Sequence, residues 1–138
     1  VVQSYIHMGG KIGVLVEVNC ETDFVAKTDD FKEFARNLAM HIAASSPLGI
    51  VPEDVPESEA EKERAIYRQQ AQELGKPENM IEKIVEGKMN KFYKENCLMN
   101  QLYVRNTDLT VSDYLNEMIA RTGEKITINR FARFQIGG

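Results

Sequence analysis

The run Ile12-Gly13-Val14-Leu15-Val16-Glu17-Val18-Asn19 is the clearest strand in this 138-residue chain, and the other elements can be ordered around it. An isoleucine and three valines alternate along it with glycine, glutamate and asparagine, which is the period-two pattern of a strand with one buried face. The continuation, Asn19-Cys20-Glu21-Thr22-Asp23-Phe24-Val25-Ala26-Lys27, carries neither that pattern nor a helical one. We therefore expect the strand to end near Asn19, followed by a turn that sets Phe24 beside Asp23.

A long amphipathic helix is predicted after this turn. Asp30 and Glu33 have the spacing of an N-cap and its reciprocal partner, so we expect the helix to begin at Asp30, while Thr22 caps a separate short turn. Phe24 lies outside the apolar stripe and has two interpretations: a staple that closes the corner, which its position alone slightly favours, or an exposed functional aromatic. The stripe recurs at helical spacing: Phe31, Phe34, Ala35, Leu38, Ala39 and Ile42.

Two further strands are predicted to complete an antiparallel sheet. Gly9-Gly10 separates the first strand from the second and permits a tight hairpin. The third strand is expected from Lys125 to Gln135, where Phe131 breaks the apolar pattern; a β-bulge is favoured over an interface as the explanation. The expected apolar face of this strand comprises Ile126, Ile128, Ala132, Phe134 and Ile136.

The helix before the third strand has clear ends. Thr110 and Asp113 form a capping pair at its start, and Thr122-Gly123 ends it, where glycine suits a left-handed cap.

The middle of the chain changes character after Pro47, where spaced prolines lead into a highly charged helical stretch. A turn at Gly75 and Pro77 separates two amphipathic segments, which predicts an antiparallel helical hairpin over residues 54–101. This hairpin would be inserted into a core domain made of residues 1–53 and 102–138. The predicted class is α+β: a three-stranded antiparallel sheet packed with helices, plus the inserted hairpin. The first hairpin helix has a thin expected stripe of Ala65, Ile66 and Leu74.

Composition and residue spacing point to a protein partner rather than to chemistry. The formal net charge of −4 argues against an electrostatic grip on nucleic acid or on an anionic membrane. His7 and His41 have no further ligand at metal spacing, and Asp29 and Asp30 are adjacent, which suits capping better than acid-base catalysis. We expect no metal, no cofactor, no membrane span and no enzymatic activity. Two distant cysteines, Cys20 and Cys97, suit a reducing compartment.

Several motifs resemble the elongation factor Ts family, the nucleotide-exchange factors of elongation factor Tu. Residues 13–27 are similar to the family signature, and residues 4–13 to its second core motif. The family's Tyr-x-His-Gly pattern is altered here to His7-Met8-Gly9. The resemblance continues in the family's order through the end of the first long helix at 40–45, the helical hairpin at 75–92 and the closing strand at 123–131.

The resemblance implies a translation elongation factor that promotes GDP release from elongation factor Tu. Asp23-Phe24 would wedge into the partner's G domain and disturb its magnesium site. The residues that the resemblance assigns to this contact are Thr22, Asp23, Phe24, Val25, His7, Thr122 and Gly123.

The resemblance also implies a homodimer, because family members either carry two core halves or pair single ones. The small N-terminal helical module usual in the family is missing, so we expect a fragment or a unit cut from a longer precursor. The implied location is a bacterial cytoplasm, or the interior of a plastid or mitochondrion. Two alternatives remain: a scaffold that binds elongation factor Tu without exchange, and an RNA-associated module that uses Arg130, Phe131, Arg133 and Phe134.

Overall fold

The computed structural model describes residues 1–138 and divides the chain into two compact units. The core unit comprises residues 1–47 and 102–138, and the hairpin unit comprises residues 48–101. The α+β class is confirmed, with a three-stranded antiparallel sheet and a pair of long helices. In chain order the elements are β1 (Val2–Ile6), β2 (Ile12–Asn19), α1 (Asp23–Ala26), α2 (Asp29–Ser45), α3 (Glu57–Glu73), α4 (Glu78–Asn96), β3 (Leu102–Tyr103), β4 (Asn106–Thr110), α5 (Val111–Thr122) and β5 (Thr127–Gln135).

The predicted hairpin of β1 and β2 is confirmed, and β2 lies in the centre of the sheet order β1-β2-β5. Val14, Val16 and Val18 are buried on one face of β2, as the alternation predicts. Helix α2 packs on β1 and β2. The predicted stripe of α2 is buried throughout, which makes this layer the centre of the core unit.

The β2–β5 pairing contains a register shift that changes which face β5 presents. Val18 pairs with Ile128 but Glu17 pairs with Arg130, so Asn129 has no partner on β2. This agrees with the bulge predicted from Phe131, and a bulge moves the following residues to the opposite face. The expected single apolar face of β5 is therefore wrong. Phe134 and Ile136 are 71% and 75% exposed, on the sheet face away from the buried valines.

The predicted N-cap of α2 is also wrong, by two residues. Thr28, not Asp30, is the N-cap, because its hydroxyl accepts a hydrogen bond from the Phe31 backbone N–H at 3.2 Å. Asp29 and Asp30 instead occupy the first turn, where their negative charge interacts favourably with the positive end of the helix macrodipole. For α5, both expectations are confirmed: Thr110 and Asp113 form a capping box, and Gly123 is the left-handed C-cap with φ of 71°.

The hairpin unit is held by the facing sides of α3 and α4. The expected stripe of α3 is wrong, since Ile66 and Leu74 are exposed and the buried α3 residues are Ala60 and Ala71. Backbone hydrogen bonds from Leu48 N–H to Asn96 and from Leu98 N–H to Gly49 tie residues 48–50 to the end of α4. The hydrophobic cluster of the hairpin unit, the hairpin cluster, consists of Ala60 and Ala71 together with Val55, Ile81, Val85, Met89, Phe92 and Cys97. No helix in the structure has the length and apolarity needed to cross a membrane.

Candidate partner-binding surface

Phe24 is presented by a turn whose beginning and end are both fixed by hydrogen bonds. Helix α1 has only four residues, and Thr22 caps it, as predicted, by accepting from the Val25 N–H at 3.2 Å. At its other end, the Thr28 hydroxyl donates to the Val25 carbonyl at 2.7 Å. Val25 is buried while the Phe24 side chain is 81% exposed. The staple interpretation of Phe24 is thus wrong, because the ring covers no corner and faces solvent.

Glu124, from the segment after α5, reaches the same turn. Its Oε1 accepts from the backbone N–H groups of Glu21 and Thr22, both at 3.1 Å. Its Oε2 accepts from the Thr22 hydroxyl at 2.6 Å. Sequence reasoning missed Glu124 as a functional residue because these contacts join positions more than 100 residues apart, and no local pattern signals them.

The Thr122-Gly123 loop directly precedes Glu124. Because Glu124 contacts the Phe24 turn, this loop also lies close to that turn. The Thr122 hydroxyl donates to the Met118 carbonyl at 3.0 Å and accepts from the Glu124 N–H at 3.2 Å. Gly123 adopts the left-handed conformation that reverses the chain. The structure therefore brings five of the site residues predicted from the sequence to one end of β2: Thr22, Asp23, Phe24, Thr122 and Gly123, with Val25 buried beneath them.

His7 lies at the other end of β2. It is exposed in the turn between β1 and β2, where its backbone N–H donates to the Ile12 carbonyl at 2.9 Å. The Tyr5 hydroxyl lies 2.9 Å from the His7 Nδ1, so this nitrogen already has a hydrogen-bond partner within the chain. A strand rises about 3.3 Å per residue, which separates the two ends of eight-residue β2 by roughly 23 Å. Within one chain, the structure does not bring His7 and Phe24 together.

The exposed face of the sheet carries one charged cluster amid apolar side chains. Glu17 accepts from Asn19 and Asn129, both at 2.8 Å, and from Arg130 at 3.0 Å. These hydrogen bonds, chiefly that from Asn19, lower the pKa of the Glu17 carboxyl below its ordinary value of 4.5. Exposed apolar side chains on the same face of the sheet include Val2, Ile6, Leu15, Phe134 and Ile136.

The arrangement presents an exposed aromatic ring and exposed carboxylates on fixed turns. No group of three or more His, Cys, Asp or Glu side chains is placed to hold a metal ion. Cys20, beside the Phe24 turn, donates to the Thr22 carbonyl at 3.3 Å. What this surface can do chemically is bury an aromatic ring and place a carboxylate against a protein partner.

Comparison with known proteins agrees with the resemblance seen in the sequence. Residues 1–138 match the family described as Elongation factor TS. A protein named Elongation factor Ts from Desulfosudis oleivorans is 67% identical over 137 residues, which cover 99% of this chain and 69% of the relative. Relatives of the same name from Syntrophobacter fumaroxidans and Carboxydothermus hydrogenoformans are 62% and 59% identical, and the chain covers 68% and 63% of their lengths.

The match extends along the entire chain, through the core unit and the hairpin unit alike. It confirms the expectation of a translation elongation factor that is not an enzyme. The chain belongs to the elongation factor Ts family.

Proposed function

We propose that this chain, as a nucleotide-exchange factor of the elongation factor Ts family, releases GDP from elongation factor Tu by inserting Asp23 and Phe24 into its G domain. The observation that carries the proposal is the 81% exposure of Phe24 on a turn fixed at both ends. An aromatic ring gains by leaving water, and a turn that is already ordered loses little entropy on binding. Phe24 is therefore suited to insertion into a partner.

The insertion acts on how the partner holds its nucleotide. In GTPases a magnesium ion bridges the phosphates and is held by side chains near the mobile switch elements. A phenyl ring and a carboxylate pushed into that neighbourhood displace those side chains and weaken nucleotide binding. The coupling is reciprocal, so bound nucleotide weakens binding of the exchange factor by the same factor.

The proposed weakening of nucleotide binding requires more interaction energy than Phe24 alone can supply. Weakening the nucleotide ~1,000-fold needs about 4 kcal/mol of differential binding. Burying one large apolar side chain contributes roughly 1.5–3 kcal/mol. Asp23, His7 and the Thr122-Gly123 loop are the contacts that we propose supply the remainder. Thr22 and Val25 serve this site by holding the turn, since one caps α1 and the other is its buried anchor.

The test is release of fluorescent GDP from elongation factor Tu, followed by stopped flow with the wild-type chain and with Phe24→Ala. We expect the wild-type chain to accelerate release and the variant to retain only a small residual acceleration, with an unchanged melting temperature. Leu74→Ala is the matched control, because Leu74 is similarly exposed, at 72%, but lies in the hairpin unit. Full acceleration by Phe24→Ala would contradict the wedge. Binding without acceleration by the wild-type chain would support the scaffold alternative.

We also propose that the chain forms a homodimer through the exposed face of its sheet. Apolar side chains on that face, with exposures from 49% to 75%, form a patch of the kind that protein interfaces cover. A second copy would also supply a His7 that one chain cannot bring to its own Phe24. Sedimentation at micromolar concentration should show a dimer, and Phe134→Glu should convert it to a monomer. A monomeric wild-type chain would contradict the proposal.

The RNA-associated alternative has less support. Phe134, which the strand pattern placed on an apolar face, is exposed and so accessible to bases. However, Arg130 is paired with Glu17, and Arg133 donates to the Ala43 carbonyl at 2.9 Å, so part of the donor capacity of each guanidinium is already used within the chain. RNA binding with a steep salt dependence would favour this alternative.

Because the matched relatives are bacterial, we propose the bacterial cytoplasm as the location.

A further inference from the structure

We propose that Glu124 is a positioning residue for exchange: its carboxylate holds the Glu21-Thr22 segment so that Asp23 and Phe24 are presented in one orientation. This inference rests on the proposed function of the Phe24 turn. It adds a residue that acts through the turn and does not itself touch elongation factor Tu.

The carboxylate of Glu124 receives three donors from two consecutive residues. Two backbone N–H groups converge on Oε1 at 3.1 Å each, and the Thr22 hydroxyl donates to Oε2 at 2.6 Å. Hydrogen bonds to an ionised acceptor are shorter and roughly twice as strong as those between neutral groups. Successive backbone N–H groups that point at one anion also fix the local backbone conformation. The carboxylate thus sets the path of the chain immediately before α1.

Local interactions alone give α1 little stability. A four-residue helix lies far below the length at which isolated helices persist in water. Its start depends on one cap, in which the Thr22 hydroxyl accepts from the Val25 N–H. Because that hydroxyl donates its proton to Glu124, its lone pairs are left for Val25. Glu124 therefore orients the cap as well as the backbone.

The end of α5 is built to deliver this carboxylate. Gly123 reverses the chain with φ of 71°, and the Thr122 hydroxyl accepts from the Glu124 N–H. The loop that the family resemblance assigns to partner contact thus has a second role, which is to aim Glu124 at the Phe24 turn. The Glu124 side chain thus links the loop to the turn.

The expected consequence is a change in the population of the competent turn. When only a fraction of molecules presents the binding conformation, apparent affinity falls by that fraction. The hydrogen bonds that the Glu124 carboxylate accepts are exposed to solvent, so their loss should change the global stability of the chain little. Glu124→Ala should therefore raise the half-saturating concentration for accelerated GDP release about tenfold while leaving the maximal rate near wild type. The half-saturating concentration of Glu124→Gln should lie between those of the wild type and Glu124→Ala, because the amide NH2 cannot accept from the Thr22 hydroxyl.

The experiment is GDP release by stopped flow over a concentration series, with Glu117→Gln as control, since Glu117 is an exposed α5 carboxylate without an ion pair. A double-mutant cycle with Phe24→Ala shows whether Glu124 acts through the Phe24 turn or contacts the partner directly. If Glu124 acts through the turn, Glu124→Ala should change the residual activity of Phe24→Ala less than twofold. Hydrogen exchange should accelerate at the Glu21, Thr22 and Val25 amides, with the melting temperature kept within about 2 °C.

Each other result overturns a specific claim. Wild-type behaviour of Glu124→Ala, with exchange lost in Phe24→Ala, would overturn the positioning role and leave the proposed function intact. Additive losses in the cycle would mean that Glu124 contacts the partner directly. A large drop in melting temperature would assign it a general structural role. Unchanged exchange in Phe24→Ala would instead refute the proposed function.

Discussion

The core unit and the hairpin unit are organised in opposite ways. In the core unit, the decisive contacts join distant parts of the chain, such as β2 with β5 and Thr22 with Glu124. In the hairpin unit they join the adjacent helices, with side-chain bonds such as Arg68 to Glu82 at 3.0 Å. Long-range contacts bring separate loops to one place, which a binding site needs, whereas a helical pair needs only two matched faces.

The two units also differ at the starts of their helices. Each of the three core helices begins after a threonine whose hydroxyl accepts from the backbone: Thr22, Thr28 and Thr110. Both hairpin helices begin after a proline, Pro56 or Pro77, and neither has a side-chain cap. Side-chain caps fix where a helix begins to within a residue. The core unit therefore controls the position of its turns more closely, and the Phe24 turn is one of them.

The largest expected effect comes from the centre of the core unit. Phe34 is fully buried, with its ring 4.9 Å from that of Tyr114. Phe34→Ala should reduce the free energy of unfolding by about 3–5 kcal/mol, because it leaves a cavity in a close-packed layer. Urea denaturation measures this, and Phe24→Ala is the matched control with almost no expected loss. Similar losses for both would mean that Phe24 is packed in solution, which the exposed turn does not allow.

The next effect tests whether the hairpin unit is stabilised by its own packing. Met89 is 4% exposed within the hairpin cluster, so Met89→Ala should cost about 2–3 kcal/mol. Hydrogen exchange should accelerate at the amides of α3 and α4, with those of β2 as the internal reference. GDP release should be retained, since the proposed site lies in the core unit. Equal acceleration at β2 would show that the two units unfold together.

A smaller effect distinguishes the observed start of α2 from the predicted one. Thr28→Ala removes the observed cap and should cost about 1 kcal/mol. Asp30→Ala removes only a first-turn charge and a long, exposed ion pair with Arg121, so it should cost less than about 0.5 kcal/mol. Urea midpoints of the two variants rank them directly. A larger loss for Asp30→Ala would restore the cap predicted from the sequence.

Local patterns predicted most elements of the fold and failed where one residue competed with another. Alternation located β2, and helical spacing located the buried stripe of α2, because burial follows periodicity in both. The start of α2 was missed because Thr28 and Asp30 are both good caps, and only geometry shows which one binds. The exposure of Phe134 was missed because a one-residue bulge at Asn129 reverses the faces of the strand.

The candidate site could be predicted only in part, because some of its contacts join distant positions of the chain. Phe24 was visible because it interrupts a pattern, and the family resemblance gave it a role. Glu124 was invisible because its partners lie 102 and 103 positions earlier in the chain. Tyr5 was also missed, although its position two residues before His7 is a usable signal at the end of a strand. Residues that orient others are found by contacts, which one sequence does not contain.

The smallest expected effect concerns acid stability of the sheet. Glu17 accepts from Asn19, from the bulge residue Asn129 and from Arg130, and these bonds lower its pKa in the folded state. A carboxyl with a lowered folded-state pKa adds stability above its unfolded pKa, near 4.5, and that stability is lost as the pH falls through the folded value. Glu17→Gln should therefore flatten the decline of the urea midpoint as the pH falls below the unfolded pKa of 4.5. Glu117→Gln, which changes a carboxylate without such partners, should leave the decline as in the wild type. An unchanged slope in Glu17→Gln would mean that these exposed hydrogen bonds add no measurable stability to the folded chain, and that the stability of the sheet rests on the buried valines of β2 instead.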